Sequence, residues 1–258
     1  MATKSDVATP RNEPAALAKA LGAVLRPWKW GQLARQGGAL LQNVLWYGNF
    51  SFNMNSRAYW DRQLARLGDS WRDANYRHII PLLPPDGQFS LLDIGCALGD
   101  GCELLARVFP KARLSGADIS ETGIAKARAK SGLVEYFVLD ILAAPLPARY
   151  DYITLVETLE HFDDPFAVVD KCLGYVDRAL IVSVPYTPQR SGRIVGVGEH
   201  RYCFNEHTFA GYHHRVVGIA EHGTEVKETV ILYELWPTEV NTAASASKVE
   251  HAPTAENS

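Results

Sequence analysis

Short apolar runs alternate with amphipathic stretches through the middle of the chain. Phe89–Ile94, Arg113–Asp118, Val134–Ile141, Tyr150–Glu157 and Ala179–Pro185 are short runs that carry leucine, β-branched or aromatic residues, and each has a glycine, an acid or a proline at or beside its end. Runs of this length and composition predict buried strands. Between them, segments at 121–130 and 164–175 space their apolar residues for helices. Strands alternating with helices predict an α/β fold, a doubly wound, mostly parallel sheet with helices on both faces. Two further strands, at 215–222 and 226–236, bring the expected sheet to seven. Before them the pattern predicts a long polar connection from Tyr186 to Tyr202 and a short helix from Glu206 to Tyr212.

Upstream, the pattern changes character. Residues 1–13 are polar. From Pro14 onward, Leu17, Leu21, Val24 and Leu25 share a helical face until Pro27, and a second apolar set runs from Leu33 to Tyr47 across Gly37-Gly38. Residues 1–48 hold six basic side chains against two acids, giving +4 and leaving −7 for the rest of the chain. The aromatic and basic Trp28-Lys29-Trp30 admits three readings of this extension. It is a helical arm packed on its own domain or on a second subunit of a homo-oligomer, a lid over the substrate, or a peripheral membrane-surface helix. Tyr59-Trp60-Asp61-Arg62 opens a further amphipathic helix continuing through Leu64, Leu67 and Trp71. After Glu239 no aromatic ring occurs, and the composition reads as a disordered tail. The expected organisation is an extension over 1–54, a single domain over 55–238 and a tail over 239–258.

Composition narrows the function. With 258 residues, 47% of them hydrophobic and 21% charged, the chain can bury one substantial core. A formal charge of −3 argues against a broadly basic nucleic-acid binder. No uninterrupted apolar stretch reaches the roughly 18 residues of a membrane span. Cys96, Cys102, Cys172 and Cys203 lack finger-like spacing and read as reduced thiols, consistent with an expected cytoplasmic location.

The chemistry concentrates where the first strand breaks into Gly95-Cys96-Ala97-Leu98-Gly99-Asp100-Gly101 ahead of a helical pattern. Strand, glycine-rich turn and helix form a cradle for a nucleoside cofactor, because glycine reaches left-handed angles and lets backbone approach a ligand. The spacing is not the Gly-x-Gly-x-x-Gly of dinucleotide binders, and Asp100 at the helix start would oppose a diphosphate. This disfavours an NAD-dependent oxidoreductase and favours a ligand without phosphates, such as S-adenosylmethionine.

Leu92 through Gly99 resembles the first strand and loop of the class I S-adenosylmethionine-dependent methyltransferases, Leu-Asp-Ile-Gly-Cys-Gly-x-Gly, with Ala97 where the middle glycine is usual. The second strand ends in Asp118, 23 positions beyond Gly95, the third in Asp140, and the fourth leads into Glu160-His161-Phe162-Asp163-Asp164-Pro165, similar to the family's Glu-His-x-x-Asp-Pro. The resemblance implies S-adenosylmethionine bound by Asp93, Gly95, Cys96, Ala97, Gly99, Asp118, Ile119, Asp140, Ile141 and Glu157. It places the ribose at Asp118 and the adenine at the third strand, and it implies a reversed strand in the closing hairpin.

Methyl transfer to a hydroxyl needs a base, and His161 is the first candidate, since imidazole titrates near neutrality. His200 is second. Glu160 either orients His161 or joins Glu157 and His161 around a divalent cation; the cation is the less favoured reading. Asp163 and Asp164 read as caps for the helix from Pro165. The acceptor pocket is expected among Tyr59, Trp60, Tyr186, Arg190, Arg193, Arg201 and Tyr202, whose arginines suit an anionic or sugar-like acceptor. A loose resemblance to bacterial methyltransferases of glycan and lipopolysaccharide assembly ranks a sugar or glycan hydroxyl first and a phenolic metabolite second. A non-catalytic methyltransferase-like partner or scaffold, marked by Ala97 and the N-terminal extension, is the reading from another class.

Overall fold

A computed structural model describes residues 55–67, 73–130, 132–194, 198–222 and 228–238. The expected extension, the tail and Trp71 lie outside the described residues. Helix α1 spans Arg57–Arg66. It is followed by a 3-10 segment over Asp73–His78, by strand β1 (Ser90–Ile94) and by helix α2 (Asp100–Val108). Then come β2 (Arg113–Asp118), α3 (Glu121–Arg128), β3 (Glu135–Val138), β4 (Tyr150–Val156), α4 (Pro165–Leu173) and β5 (Val176–Pro185). The short β6 (Gly192–Arg193) and β7 (Tyr202–Cys203) precede β8 (His214–His222) and β9 (Glu228–Leu235).

The main sheet has seven strands in the order β3-β2-β1-β4-β5-β9-β8. The pairings among the first five are parallel, whereas β9 runs antiparallel between β5 and β8. All five residues of β1 are buried, as a central parallel strand covered on both faces requires. Alternation divides the core. Leu92, Ile153 and Leu180 join Val168, Val169 and Leu173 of α4 on one face. Leu91, Tyr152 and Ile181 join Leu105 of α2, Ile124 of α3 and Tyr76 and Ile79 of the 3-10 region on the other. Each such aliphatic side chain contributes about 1.5–3 kcal/mol by leaving water. Because β1 has β2 on one side and β4 on the other, the strand order reverses there. The C-terminal ends of these strands diverge into a crevice, the place where open α/β sheets bind ligands.

Three local expectations change. Strand β5 begins at Val176, which pairs with Tyr150, earlier than the apolar run from Ala179 predicts. The 186–202 connection is partly ordered by pairing of β6 with β7 and by a bridge from Tyr186 to Phe204. Residues 206–212 form successive turns, not a helix. Thr208, Ala210 and Tyr212 donate N–H bonds to Asn205, His207 and Phe209, and the Asn205 side chain takes the His207 N–H at 3.1 Å.

Helix α1 is tied to α3 by polar contacts at both ends. The Asp61 carboxylate accepts from Ser120 Oγ at 2.7 Å and from Thr122 N at 2.9 Å. At the other end Lys126 Nζ donates to the carbonyls of Leu64 (2.9 Å) and Leu67 (2.8 Å), where a helix C-terminus favours a cation. Replacing Asp61 with Ala strands the buried Ser120 hydroxyl, and urea denaturation should show a loss of about 1.5–3 kcal/mol, the usual worth of hydrogen bonds to a charged group.

Candidate active site

A cavity of about 450 Å³ opens over the C-terminal ends of β1, β2, β3 and β4. Its floor is the loop after β1. Gly95 has φ +82°, and a Cβ there would fall 2.2 Å from Thr158 Oγ1, so both backbone angle and space demand glycine. Gly95 N and Cys96 N both donate to Ala117 O, at 2.7 and 3.1 Å. Ala97 N donates to Asp118 Oδ2 at 2.9 Å, and Ser120 N donates to Asp118 Oδ1 at 2.8 Å. Each Asp118 oxygen keeps a further lone pair beside the cavity. Burial pushes the Asp118 carboxyl up to about 6; the Ser120 and Ala97 N–H groups oppose that rise, while Asp93 and Asp61 add to it. Ala97 itself stands at φ +50°, a left-handed angle that costs a residue with a Cβ about 1 kcal/mol.

Of the residues expected around a cofactor, Gly95, Cys96, Ala97, Asp118, Ile119, Asp140, Ile141 and Glu157 line the cavity. Two do not. Gly99, at φ +78°, is the N-cap of α2, where a Cβ would fall 2.6 Å from the Tyr136 hydroxyl. Asp93 is fully buried beneath the floor. It accepts from Thr154 Oγ1 at 2.6 Å, Tyr76 Oη at 2.7 Å and Cys102 Sγ at 3.4 Å, and burial raises its carboxyl above the ordinary range. It braces the 3-10 segment and β4 against β1. Nor does Asp100 guard the cavity: its carboxylate pairs with Lys130 Nζ at 2.5 Å.

His161 enters the cavity from a 3-10 turn (Leu159–His161) after β4. Its Nδ1 lies 3.1 Å from Glu199 O, and because a carbonyl only accepts, that nitrogen carries the hydrogen. Nε2 lies 3.7 Å from Oε1 of Glu160, a residue 2% exposed. Trp60 and His200 meet the ring edge-on at 4.9 and 5.2 Å. Asn55 Nδ2 spans the entrance, donating to His161 O at 3.0 Å and Glu199 O at 2.7 Å. The donor set able to hold a cation is Glu160, His161 and His200, whose ligand atoms lie within 4.8 Å of one another. In the expected set Glu157 stood in the place of His200.

The remaining acceptor residues are engaged elsewhere. Tyr59 is buried, and neither it nor Tyr186, Arg190, Arg193, Arg201 or Tyr202 lines the cavity. Arg193 and Arg201 both bind Asp163, which therefore does not cap α4. Asp164 alone caps, accepting from Phe166 N and Ala167 N. Tyr186 donates to Glu206, and Tyr202 packs against Phe166. The sequence reading missed Asn55, Asn75, Tyr76, Leu142 and Phe162 as lining residues. Asn75 and Tyr76 sit in a short 3-10 segment that carries no recognisable motif.

Residues 91–179 match the family model described as a methyltransferase domain. That stretch, about a third of the chain, is similar to methyltransferase domains from β1 to the start of β5. Among the relatives of this chain, the ubiquinone biosynthesis O-methyltransferase of Proteus mirabilis is 37% identical over 99 residues, 35% of this chain and 40% of that protein. The protein of the same name from Thiobacillus denitrificans is 38% identical over 92 residues, 33% and 39% of the two chains. The chain thus spans about two fifths of the length of these relatives. Magnesium protoporphyrin IX methyltransferase from Synechocystis, solved with S-adenosylmethionine, shares the fold at a TM-score of 0.54 and 18% identity, covering 73% of this chain and 98% of its own.

Replacing Ala97 with Gly removes the strain of the left-handed angle without disturbing the bond from its N–H. Thermal or urea unfolding should show a gain of about 1 kcal/mol.

Proposed function

We propose that this protein is a methyltransferase that moves the methyl group of S-adenosylmethionine to a hydroxyl of a small aromatic acceptor, with His161 as general base. The observation that carries the proposal is the charge of the cavity. Its described lining residues include six carboxylates, Asp118, Asp140, Glu157, Asp163, Asp164 and Glu199, and no lysine or arginine. Phosphates would be repelled from such a surface, whereas a ligand bearing a sulfonium and an ammonium is attracted. The glycine cradle at Gly95 and the remaining acceptor positions of Asp118 fit a nucleoside with vicinal hydroxyls.

When bound, S-adenosylmethionine supplies an electrophilic methyl group on a positively charged sulfur. The chain supplies the rest. Asp118 accepts from the ribose hydroxyls, and Asp140, Ile141 and Leu142 wall the adenine end. With Nδ1 committed to Glu199 O, Nε2 is the nitrogen of His161 that takes the acceptor's proton, and the Glu160 carboxylate beside it stabilises the imidazolium that forms. Trp60 holds the imidazole ring edge-on and covers it from water.

Trp60, Phe162 and Ala167 give this end of the cavity apolar walls suited to a flat ring, and the two arginines bound to Asp163 are turned away from an anionic acceptor. The names of the bacterial relatives support a phenolic acceptor as well. A neutral sugar is the second reading, favoured by the rim carboxylates of Asp163, Asp164 and Glu199, which can accept several hydroxyls. Mass-spectrometric assay of methylated product from catechol-type phenols and neutral sugars separates the two: a phenolic product supports the first, a sugar product alone the second, and no product from either class would overturn both.

Replacing His161 with Ala should lower kcat by about 10²- to 10⁴-fold while calorimetry finds cofactor affinity within about twofold of the parent. Undiminished turnover would remove His161 from the mechanism. A second expectation follows from Asp118. Below about pH 6 its carboxyl is protonated and one acceptor becomes a donor, so cofactor affinity should fall as pH drops from 8 to 5. The ligand-free fold behaves oppositely: with the carboxyl raised above its ordinary 3.8, this group's contribution to stability is complete below that value and is lost as pH rises through 6. An affinity flat over that range would exclude Asp118 from the ribose site.

A further inference from the structure

The sheet order orients the cofactor along the cavity. With adenine at the end of β3 and ribose at Asp118 on β2, the amino-acid half falls over β1 and its neighbour β4. That end of the cavity is lined by Asn75, Tyr76, Cys96, Gly101 and Thr158. A carboxylate placed there meets a difficulty, because the described lining residues offer no lysine or arginine to neutralise it. Among the described lining residues its recognition falls to neutral N–H donors.

Asn75 is the donor in the right place. It is 1% exposed, its Nδ2 has no hydrogen-bond partner in the protein, and the residue lines the cavity. A buried amide left without a partner costs about 1–3 kcal/mol, so such a group is retained where a ligand completes it. Its neighbour is fixed. Tyr76 donates its hydroxyl to the buried Asp93, and its ring lies so close to Gly101 that a Cβ there would fall 2.1 Å away. The segment carrying Asn75 is therefore braced on both the first strand and the start of α2, whose first turn lines the same cavity at Gly101.

We propose that Asn75 Nδ2 donates to the carboxylate of the amino-acid half of S-adenosylmethionine and, with the N-terminus of α2, does the work of a basic side chain that the described lining residues do not offer. The inference rests on the cofactor assignment above. The test is calorimetric, with two ligands: S-adenosylhomocysteine, which has the amino-acid half, and 5′-methylthioadenosine, which lacks it. Asn75→Ala should weaken S-adenosylhomocysteine about 10-fold and Asn75→Asp, which sets an anion against the carboxylate, about 100-fold or more, with 5′-methylthioadenosine held within about twofold by both variants. Equal weakening of both ligands would reduce Asn75 to a structural residue, and tight S-adenosylhomocysteine binding by Asn75→Asp would show that the amide carbonyl, not the N–H, faces the ligand; either overturns the proposal. If the parent protein binds neither ligand, the cofactor assignment itself falls, and the inference with it.

Discussion

The Asp118 carboxylate is the point through which the loop, the sheet and the covering helix are joined. One oxygen takes the Ala97 N–H and so shapes the turn after β1; the other takes the Ser120 N–H and so sets the start of α3. Ser120 then uses its hydroxyl twice, accepting from Gly123 N as the cap of α3 and donating to Asp61 on α1. Two carboxylates, Asp61 and Asp118, one of them nearly inaccessible to water, are thereby linked across distant parts of the sequence by a single serine. Burying that much negative charge is tolerable because every bond it receives comes from an N–H or O–H.

Negative charge is also what characterises the cavity itself. Basic residues are abundant in the chain, yet those near the site are turned outward or paired: Lys130 with Asp100, Arg193 and Arg201 with Asp163, Lys126 with the last carbonyls of α1. The result is a described lining that carries carboxylates without lysine or arginine, a surface that opposes phosphorylated ligands by sign. Selectivity of this kind needs no dedicated side chain and survives many substitutions, since no one carboxylate carries it.

Much of this was visible in the sequence because the strands are buried on both faces and read as continuous apolar runs, each ending at a residue the site uses: Gly95, Asp118, Asp140, Glu157. The His161 position followed from the same logic. What escaped was set by tertiary contacts that leave no local trace. Asp93 looks like a ligand residue until Thr154, Tyr76 and Cys102 are seen to enclose it. Asp100 looks like a barrier to phosphate until Lys130, thirty residues on, turns it aside. The arginines of the 186–202 connection look like an acceptor site, but Asp163 holds two of them. Asn75 belongs to a 3-10 segment without periodicity, and only its burial marks it out. The turns at 206–212 carry apolar residues at helical spacing; there the Asn205 side chain and Phe209 packed on Tyr233 decide the backbone against that pattern.

Helix α1 touches both halves of the crevice. Asp61 and Lys126 fasten it over the cofactor side, while Asn55 just before it and Trp60 within it reach the His161 and Glu199 backbone and the His161 ring. A roof fastened to both rooms cannot open one without the other. In the proposed arrangement of cofactor and acceptor, a displacement of α1 that uncovers the nucleoside also uncovers the acceptor, so one helix couples the exchange of both.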